Sequence, residues 1–180
     1  MTHYHVRWMI RRDMTEILQI EAQSFANPWD EEEFVKILRQ RNCIGMVAEH
    51  DSRVVGFVIY ELHKFHIEFL NLAVAADMRG RGVGRALIGR LIGKLSLQGN
   101  RRTMLRCRIS EYNDAAIRWL SRRGLRAKGI DRQFLTDDGT SCDAIRMEYR
   151  LDDREADRVI ESIVSADGKA IHVRREEREE

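Results

Sequence analysis

The chain has 180 residues and a formal net charge of +2, with 43% hydrophobic and 33% charged residues. That length suits one domain with a single sizeable core, and the apolar fraction excludes wholesale disorder. No stretch approaches the roughly 20 apolar residues of a membrane span, and the first residues predict no secretory signal. Three cysteines without CxxC spacing favour reduced thiols in a cytoplasmic protein over a disulfide framework or a zinc site.

The small net charge conceals an uneven distribution along the chain. Between Arg79 and Arg132, 15 lysines and arginines stand against three acidic residues, a net +12, so the remainder carries −10. A basic middle with acidic flanks indicates a polyanion bound by the central segment, and both nucleic acid and a phosphorylated cofactor fit. The alternative is a solvated face whose arginines pair with the acidic flanks.

The first 40 residues predict one strand followed by two helices. Apolar and polar residues alternate from Val6 to Ile10, as on a half-buried strand. The FANPW segment at 25–29 holds the only proline, which we expect to end the first helix near Asn27. Two pairs have the spacing of the capping box that opens a helix: Asp13 with Glu16, and Asp30 with Glu33.

From residue 44 onward, strand and helix patterns alternate. Strands are predicted over Ile44–Glu49, Val54–Tyr60, Ile67–Val74, Met104–Ile109, Leu125–Ile130 and Ala144–Leu151. Helical spacing predicts one helix that begins around Gly82–Gly84 and a second over Asp114–Arg123. A DDG sequence at 137–139 predicts a turn between the last two strands. The order β–α–α–β–β–β–α–β–α–β–β indicates a mixed α+β sheet.

The last 29 residues differ in composition from the rest. Ten acidic and six basic residues lie between 152 and 180, and the last seven residues are RREEREE. We therefore expect one domain over 1–151 and a charged extension over 152–180, partly helical or disordered. The extension is predicted to act either as an oligomer-forming arm or as a solvated appendage, and the chain to be a monomer or a homodimer.

The segment Arg79–Gly84, RGRGVG, lies between a predicted strand and an amphipathic helix. Glycines there allow a tight turn and a close approach of the backbone to a ligand. The free N–H groups and the positive dipole end of the following helix then form an anion site that favours phosphate. Arg79, Arg81 and Arg85 add positive charge at the same end.

Two familiar phosphate motifs do not fit this segment. A Walker loop needs a GK[ST] tripeptide, which the chain lacks, and GxGxxG fails because Arg85 and Leu87 occupy the final glycine position. The pattern that remains is [Q/R]xxGx[G/A], with Arg79, Gly82 and Gly84. RNA binding is disfavoured because the arginines have no interleaved aromatic residues for base stacking.

The sequence LNLAVAADMRGRGVGRALI resembles the acetyl-coenzyme A signature of GNAT-family N-acetyltransferases. FVIYEL before it and RISEYNDAAIRWLSRRGL after it resemble the neighbouring elements of that family. IEAQSFANPWDEEEF is similar to the first two helices of ribosomal-protein-alanine N-acetyltransferases. The resemblance covers about Val6 to Leu151.

The resemblance implies a fold and an activity. The fold is a mixed, mostly antiparallel sheet of about seven strands with about four flanking helices. The activity is direct transfer of the acetyl group of acetyl-CoA to a primary amine, either a protein N-terminal α-amine or a lysine, with a ribosomal protein as one candidate partner. The alternatives are a small-molecule amine acetyltransferase and a catalytically silent acyl-CoA- or RNA-binding module.

The resemblance also implies which residues hold the donor. Backbone groups of Leu72–Val74 would bind the pantetheine arm, main-chain N–H groups of Arg81–Arg85 the pyrophosphate, and Asn113 a further part of the cofactor. The implied donor-binding set is Leu72, Ala73, Val74, Arg79, Gly80, Arg81, Gly82, Val83, Gly84, Arg85 and Asn113.

Glu68 is the first candidate for the general base, because it occupies the position of the glutamate in the histone-acetylating branch of the superfamily. An ion pair with Arg106 or Arg108 on the neighbouring strand is the alternative role for this carboxylate. Two departures from the ribosomal-protein enzymes bear on the chemistry: Arg106 stands at their glutamate position and Leu120 at their tyrosine position.

Other residues are candidates to replace the missing groups. Glu111 is a second candidate base, and Tyr112 and Tyr149 are candidate acids, each with an ordinary surface or packing role as the alternative. Phe25 and Trp29 are predicted to line the acceptor groove or, alternatively, to pack in the core. For His63 and His66 we expect substrate contact or solvent exposure; no metal site is predicted, because the histidines of the chain have no carboxylate partners at recognisable ligand spacing.

Overall fold

A computed structural model describes residues 4–97, 102–135 and 141–151. Within these ranges, seven strands and four α-helices follow one another in the predicted order. The strands are β1 (His5–Trp8), β2 (Cys43–His50), β3 (Arg53–Leu62), β4 (His66–Val74), β5 (Met104–Ser110), β6 (Arg126–Leu135) and β7 (Ser141–Arg150). The helices are α1 (Met14–Ala22), α2 (Glu31–Leu38), α3 (Val83–Ile92) and α4 (Asp114–Ser121). The turn at 137–139 and the extension at 152–180 lie outside the described residues.

The strands form one mixed sheet in the order β1-β2-β3-β4-β5-β7-β6. All neighbouring pairs are antiparallel except β4 and β5, which run parallel. Their parallel ladder is short, since it runs only from the pair of His66 with Met104 to the pair of Glu68 with Arg106. Beyond it β4 continues along β3 and β5 continues along β7, so the two strands part and leave a wedge between them. The predicted fold class is confirmed.

The helices cover both faces of the sheet. The ring of Phe34 on α2 packs edge-on against Phe57 on β3, with centroids 5.7 Å apart. Gly56, the preceding residue, faces the other side, where an added Cβ would lie 2.9 Å from a methyl carbon of Val83 on α3. α1 lies on the Phe57 side, because its Glu21 accepts from Asn71, which pairs with Ile59, two residues from Phe57. The α1/α2 face and the α3 face are therefore distinct surfaces of the central strands.

One irregularity sets the facing of residues on β4. Leu70 is an extra residue, because its neighbours Phe69 and Asn71 pair with consecutive residues of β3. Strict alternation would place Glu68 and Asn71, three residues apart, on opposite faces. The bulge places both of them on the α1/α2 face instead.

The two predicted capping boxes have different outcomes. At α2 the box is confirmed: Glu33 N donates to Asp30 Oδ1 (2.8 Å), and Asp30 N donates to Glu33 Oε2 (2.9 Å). At α1 the prediction is wrong, because the buried carboxylate of Asp13 makes no cap to its own helix. It accepts instead from Ile10 N (2.9 Å) and from both terminal nitrogens of Arg7 (2.7 and 2.9 Å).

The three cysteines, Cys43, Cys107 and Cys142, are buried free thiols. Burial raises the pKa of the Cys107 thiol, which disfavours its use as a nucleophile. None of the helices in the described ranges combines the length and the apolar composition that crossing a membrane requires.

Candidate functional site

The wedge between β4 and β5 exposes a strand edge inside the sheet. Past the pair of Glu68 with Arg106, β4 has hydrogen-bonded neighbours only on its β3 side. The edge that faces β5 includes the predicted residues Leu72–Val74. Main-chain N–H and C=O groups on such an edge can bind an extended ligand in the way that they bind another strand.

The turn that follows β4 ends in an anion site. Gly80 and Gly82 have φ angles of +73° and +98°, a region that glycine enters without steric cost. Gly82 is the residue before the first turn of α3, and no described side chain caps that end. The first N–H groups of α3, at Val83–Arg85, therefore have no intrahelical acceptor and face outward at the positive end of the helix dipole.

The arginines near this helix end have different roles. Arg79 is fixed to the protein, since its Nε donates to Val74 O (3.0 Å) and its Nη2 to Ser24 Oγ (2.9 Å). Arg81 and Arg85 are exposed, and Tyr4 Oη donates to the Arg81 carbonyl (2.9 Å). Arg79 and Tyr4 thus hold the turn in shape, while the charges of Arg81 and Arg85 are available to an anion.

Two other predicted donor-binding residues also serve the packing of α4. An added Cβ at Gly84 would lie 2.8 Å from the ring of Trp119, so the absence of a side chain there lets α4 approach α3. Asn113 is the N-cap of α4, because its Oδ1 accepts from Ala116 N (3.1 Å). Its exposed side chain keeps an amide nitrogen that the cap does not use.

Glu68 lies on the α1/α2 face at the last position where β4 pairs with β5, with only 4% of its surface exposed. Its Oε1 accepts a hydrogen bond from Arg108 Nε (2.8 Å), and Arg108 Nη2 lies 2.8 Å from the same oxygen. The ion pair offered as the alternative is thus present, and it involves Arg108, while Arg106 pairs with Glu148 at 3.0 Å. Burial raises the pKa of Glu68, but the hydrogen bond and charge of Arg108 outweigh it and hold that pKa below its usual value.

Two histidines flank the same carboxylate. The rings of His63 and His66 stack with centroids 4.3 Å apart and an interplanar angle of 9°. Their Nε2 atoms lie 3.8 and 3.5 Å from Glu68 Oε2, and His63 Nε2 also lies 3.2 Å from Glu61 Oε2. Burial, together with the charge of Arg106, lowers the pKa of His66. Both imidazoles are half-buried against the Glu68 carboxylate.

Glu21, which sequence reasoning missed, ties the predicted acceptor segment to β4. This buried carboxylate accepts at Oε1 from Trp29 N (3.0 Å) and from Asn71 Nδ2 (3.0 Å). The segment 23–29 is thereby held over the α1/α2 face, and α1 ends at Ala22 rather than near Asn27. A signal was present in the sequence, because an acid on the apolar stripe of an amphipathic helix marks a buried polar contact.

The two predicted aromatic residues of the acceptor segment are placed differently. The Trp29 ring packs edge-on against Phe34, with centroids 5.4 Å apart, as its core alternative proposed. Phe25 has 37% of its surface exposed. Of the two, Phe25 is the one whose ring is open to an incoming molecule.

The other candidate catalytic residues are not brought together with Glu68. Glu111 is exposed, and its Oε1 accepts from Asp143 N (3.2 Å). It lies five residues after Arg106 in the chain, which is about 17 Å along an extended strand. Tyr112 is 80% exposed. Tyr149 is buried and pairs with Leu105, so it faces the side opposite to Glu68.

Comparison with known proteins agrees with this geometry. The model of the acetyltransferase (GNAT) family matches residues 14–125. The [ribosomal protein bS18]-alanine N-acetyltransferase of Escherichia coli (strain K12) is 30% identical over 136 residues, 75% of this chain and 89% of that protein.

Solved structures give the same result. The crystal structure of the ribosomal-protein-S18-alanine N-acetyltransferase from Escherichia coli has a TM-score of 0.70 at 26% identity, covering 82% of this chain and 94% of that chain. Arabidopsis thaliana NAA60, crystallised with acetyl-CoA, has a TM-score of 0.69 at 18% identity, covering 82% and 98%, and supports the fold. The chain belongs to the acetyltransferase (GNAT) family of N-acetyltransferases.

Proposed function

We propose that the chain transfers the acetyl group of acetyl-CoA directly to the α-amine of a protein N-terminus. The observation that carries this proposal is the parting of β4 from β5 beside the uncapped, glycine-built start of α3. An extended thioester carrier whose pantetheine arm is joined to a diphosphate needs both features, a strand edge for its arm and an anion site for its charge.

The residues present fit that carrier. Leu72–Val74 would hold the pantetheine arm through the free edge of β4, and the N–H groups of Val83–Arg85 would hold the diphosphate. Gly82 leaves the approach open, since the nearest atom to an added Cβ there is 3.9 Å away, on Tyr4. Bound in this way, acetyl-CoA would supply an activated acetyl group.

The transfer exchanges the C–S bond of the thioester for a C–N bond and carries one proton from nitrogen to sulfur. The neutral amine attacks the thioester carbonyl carbon, the C–N bond forms, the C–S bond breaks, and the proton from nitrogen must leave while the thiolate gains one. A backbone N–H near Ala73 or Val74, on the free edge of β4, would stabilise the oxyanion. Positioning of the two reactants on the rigid strands supplies several kcal/mol of the barrier reduction.

We assign removal of the amine proton to Glu68, acting through water. Its support is positional: Glu68 lies at the point where β4 and β5 part, on the face that also carries Asn71 and the segment 23–29. The acid that protonates the thiolate is not assigned, and Tyr112 and Tyr149 stay predictions.

Amine chemistry favours an N-terminal acceptor. An α-amine with a pKa near ~8 is about one-tenth neutral at pH 7, whereas a lysine near ~10.4 is neutral in less than about a thousandth of molecules. An enzyme whose candidate base is ion-paired with Arg108 needs an acceptor that deprotonates readily. The relative from Escherichia coli is named for a ribosomal protein and its alanine, which supports an N-terminal alanine of a ribosomal protein, and hence a cytoplasmic enzyme.

A thiol-release assay tests the acceptor class. Acetyl-CoA is offered with peptides that have a free N-terminal alanine, with Nα-blocked peptides that contain lysine, and with polyamines. We expect release with the free N-termini and a mass gain confined to the α-nitrogen. Release with lysine peptides or polyamines alone would contradict the acceptor, and no binding of acetyl-CoA at all would contradict the donor site.

A further inference from the structure

Three side chains of metal-binding type converge where β4 begins. His63, His66 and Glu68 each direct one donor atom to a common point, and these atoms all lie within 4.8 Å of one another. The His63 N–H donates to the His66 carbonyl (3.0 Å), so the turn before β4 brings the two imidazoles over the same carboxylate. The sequence predicts no metal here, because H-x-x-H-x-E is not a familiar ligand spacing.

The two Nε2 atoms at this point are buried and poorly satisfied. His63 Nε2 and His66 Nε2 are inaccessible to solvent, and neither makes a hydrogen bond of good geometry to a described residue, although carboxylate oxygens lie 3.2 to 3.8 Å away. Buried polar atoms are almost always well paired, so two poorly satisfied nitrogens need an explanation. Both lie beside one oxygen, Glu68 Oε2, and a single ion shared by the three groups would satisfy them together.

The carboxylates are oriented for the same point. Arg108 occupies Glu68 Oε1, which leaves Oε2 facing the histidines. Asn42 Nδ2 occupies Glu61 Oε1, which leaves Glu61 Oε2 at 3.2 Å from His63 Nε2. Outer hydrogen bonds that fix one oxygen and aim the other are characteristic of metal ligands.

We propose that His63, His66 and Glu68 bind a divalent transition-metal ion of the zinc class, with Glu61 extending the donor set beside His63. Ligands about 2.1 Å from a tetrahedral zinc ion are about 3.4 Å apart, and the separations here from nitrogen to carboxylate oxygen are 3.2, 3.5 and 3.8 Å. Imidazole donors select zinc, copper or nickel over magnesium and calcium, which prefer all-oxygen sites.

Metal binding at this cluster stands apart from acetyl transfer, and its consequence for activity rests on the proposed function. A bound ion engages Glu68 Oε2 and so removes the carboxylate that we assign to proton removal. Zinc is then an inhibitor whose effect requires the two histidines.

The binding test uses the full chain, freed of metal with a chelator and without acetyl-CoA or acceptor. Calorimetric titration with ZnCl2 should show one ion per chain with affinity that falls more than tenfold in His63→Gln and in His66→Gln. Asn42→Ala, which releases Glu61, should weaken binding by about tenfold. His50→Gln is the matched control, because His50 is another half-buried strand histidine beside a carboxylate, 3.5 Å from Asp51. MgCl2 should show no binding.

The proposal would be overturned if the His63→Gln/His66→Gln double variant bound zinc as tightly as the wild type. It would also be overturned if the wild type bound Mg2+ as tightly as Zn2+. Should these variants not fold, Co2+ added to the wild type replaces them: visible bands of tetrahedral cobalt support the site, and their absence overturns it. Zinc bound through the histidines without loss of acetyl transfer would contradict the role of Glu68 and leave the metal site supported.

Discussion

The two halves of the candidate site use different chemical groups of the protein, main-chain groups in one and side chains in the other. On the donor side, β4 and α3 offer main-chain groups, and side chains such as Arg79 and Tyr4 only hold the turn in shape. On the acceptor side, the working groups are side chains, and each is oriented by a partner from another element, as Glu68 is by Arg108 and Asn71 by Glu21. A main-chain site depends on local glycine and helix geometry, whereas a side-chain network depends on long-range register.

The two sides should therefore be sensitive to different substitutions. The donor side should respond to changes in backbone freedom, with effects on acetyl-CoA affinity. The acceptor side should respond to the loss of single polar atoms, with effects on turnover or on acceptor KM while the donor still binds.

The largest effect is expected for Gly82→Asp. Its left-handed φ of +98° strains any residue with a Cβ, and the new carboxylate repels a diphosphate at the start of α3. We expect roughly a thousandfold loss of acetyl-CoA affinity, about 4 kcal/mol, measured by calorimetry and by the loss of ligand-induced rise in Tm. Gly89→Asp is the control, since it adds the same charge farther along α3 into open space; wild-type affinity in Gly82→Asp would refute the main-chain donor site.

Glu68→Gln should reduce kcat by about a hundredfold, the usual contribution of a positioned base, while the shift of Tm by acetyl-CoA persists. The rate of thiol release at saturating concentrations of both substrates measures this kcat. Glu111→Gln provides the comparison, because Glu111 is exposed and bonded to Asp143 N. A larger fall at Glu111 than at Glu68 would transfer the role of base to Glu111.

Glu21→Ala should act on the acceptor alone. Its removal leaves Trp29 N and Asn71 Nδ2 without this acceptor, so we expect a loss of about 2 kcal/mol in the free energy of unfolding and roughly a tenfold rise in acceptor KM. Urea unfolding and steady-state kinetics measure the two effects. Glu16→Ala on the same helix, which loses a weaker contact to Val54 N (3.3 Å), should leave KM unchanged; equal KM effects would show that the segment 23–29 does not need Glu21.

The smallest effect is expected for Tyr4→Phe, which removes one hydrogen bond to the Arg81 carbonyl and keeps the ring beside His50. About 1 kcal/mol, or roughly fivefold in acetyl-CoA affinity, should be lost with kcat unchanged. A fall in kcat without a change in affinity would mean that the turn is not what Tyr4 stabilises.

Sequence patterns were sufficient for the fold and for the glycine turn and helix start on the proposed donor side. Glycines at 80, 82 and 84 and the helical spacing after them are local signals, and the capping box of Asp30 with Glu33 depends on three neighbouring positions. The box predicted at Asp13 failed because Arg7, on a different strand, takes that carboxylate. Local spacing cannot show a competitor that only the tertiary fold brings near.

The acceptor side shows the same limit more strongly. The sequence offered Arg106 and Arg108 as partners for Glu68. The register of β4 on β5 places Arg106 opposite Glu68, but Arg106 pairs with Glu148 on β7, and Arg108 takes the Glu68 carboxylate. Glu21 and Asn71 are 50 residues apart, and no periodicity joins them. The stacked histidines depend on a turn whose geometry their spacing alone does not fix.

The extra residue Leu70 divides β4 into two parts, and the alternation of side chains between the two faces of the sheet restarts after it. Deleting it would restore strict alternation, so that Glu68 and Asn71 would face opposite sides, while Leu72–Val74 kept their pairing with β3. Under the proposed roles, substitutions before residue 70 would change the acceptor side of the strand without changing the pairing that positions its donor side. One inserted residue would thereby allow the two sides of this strand to evolve separately.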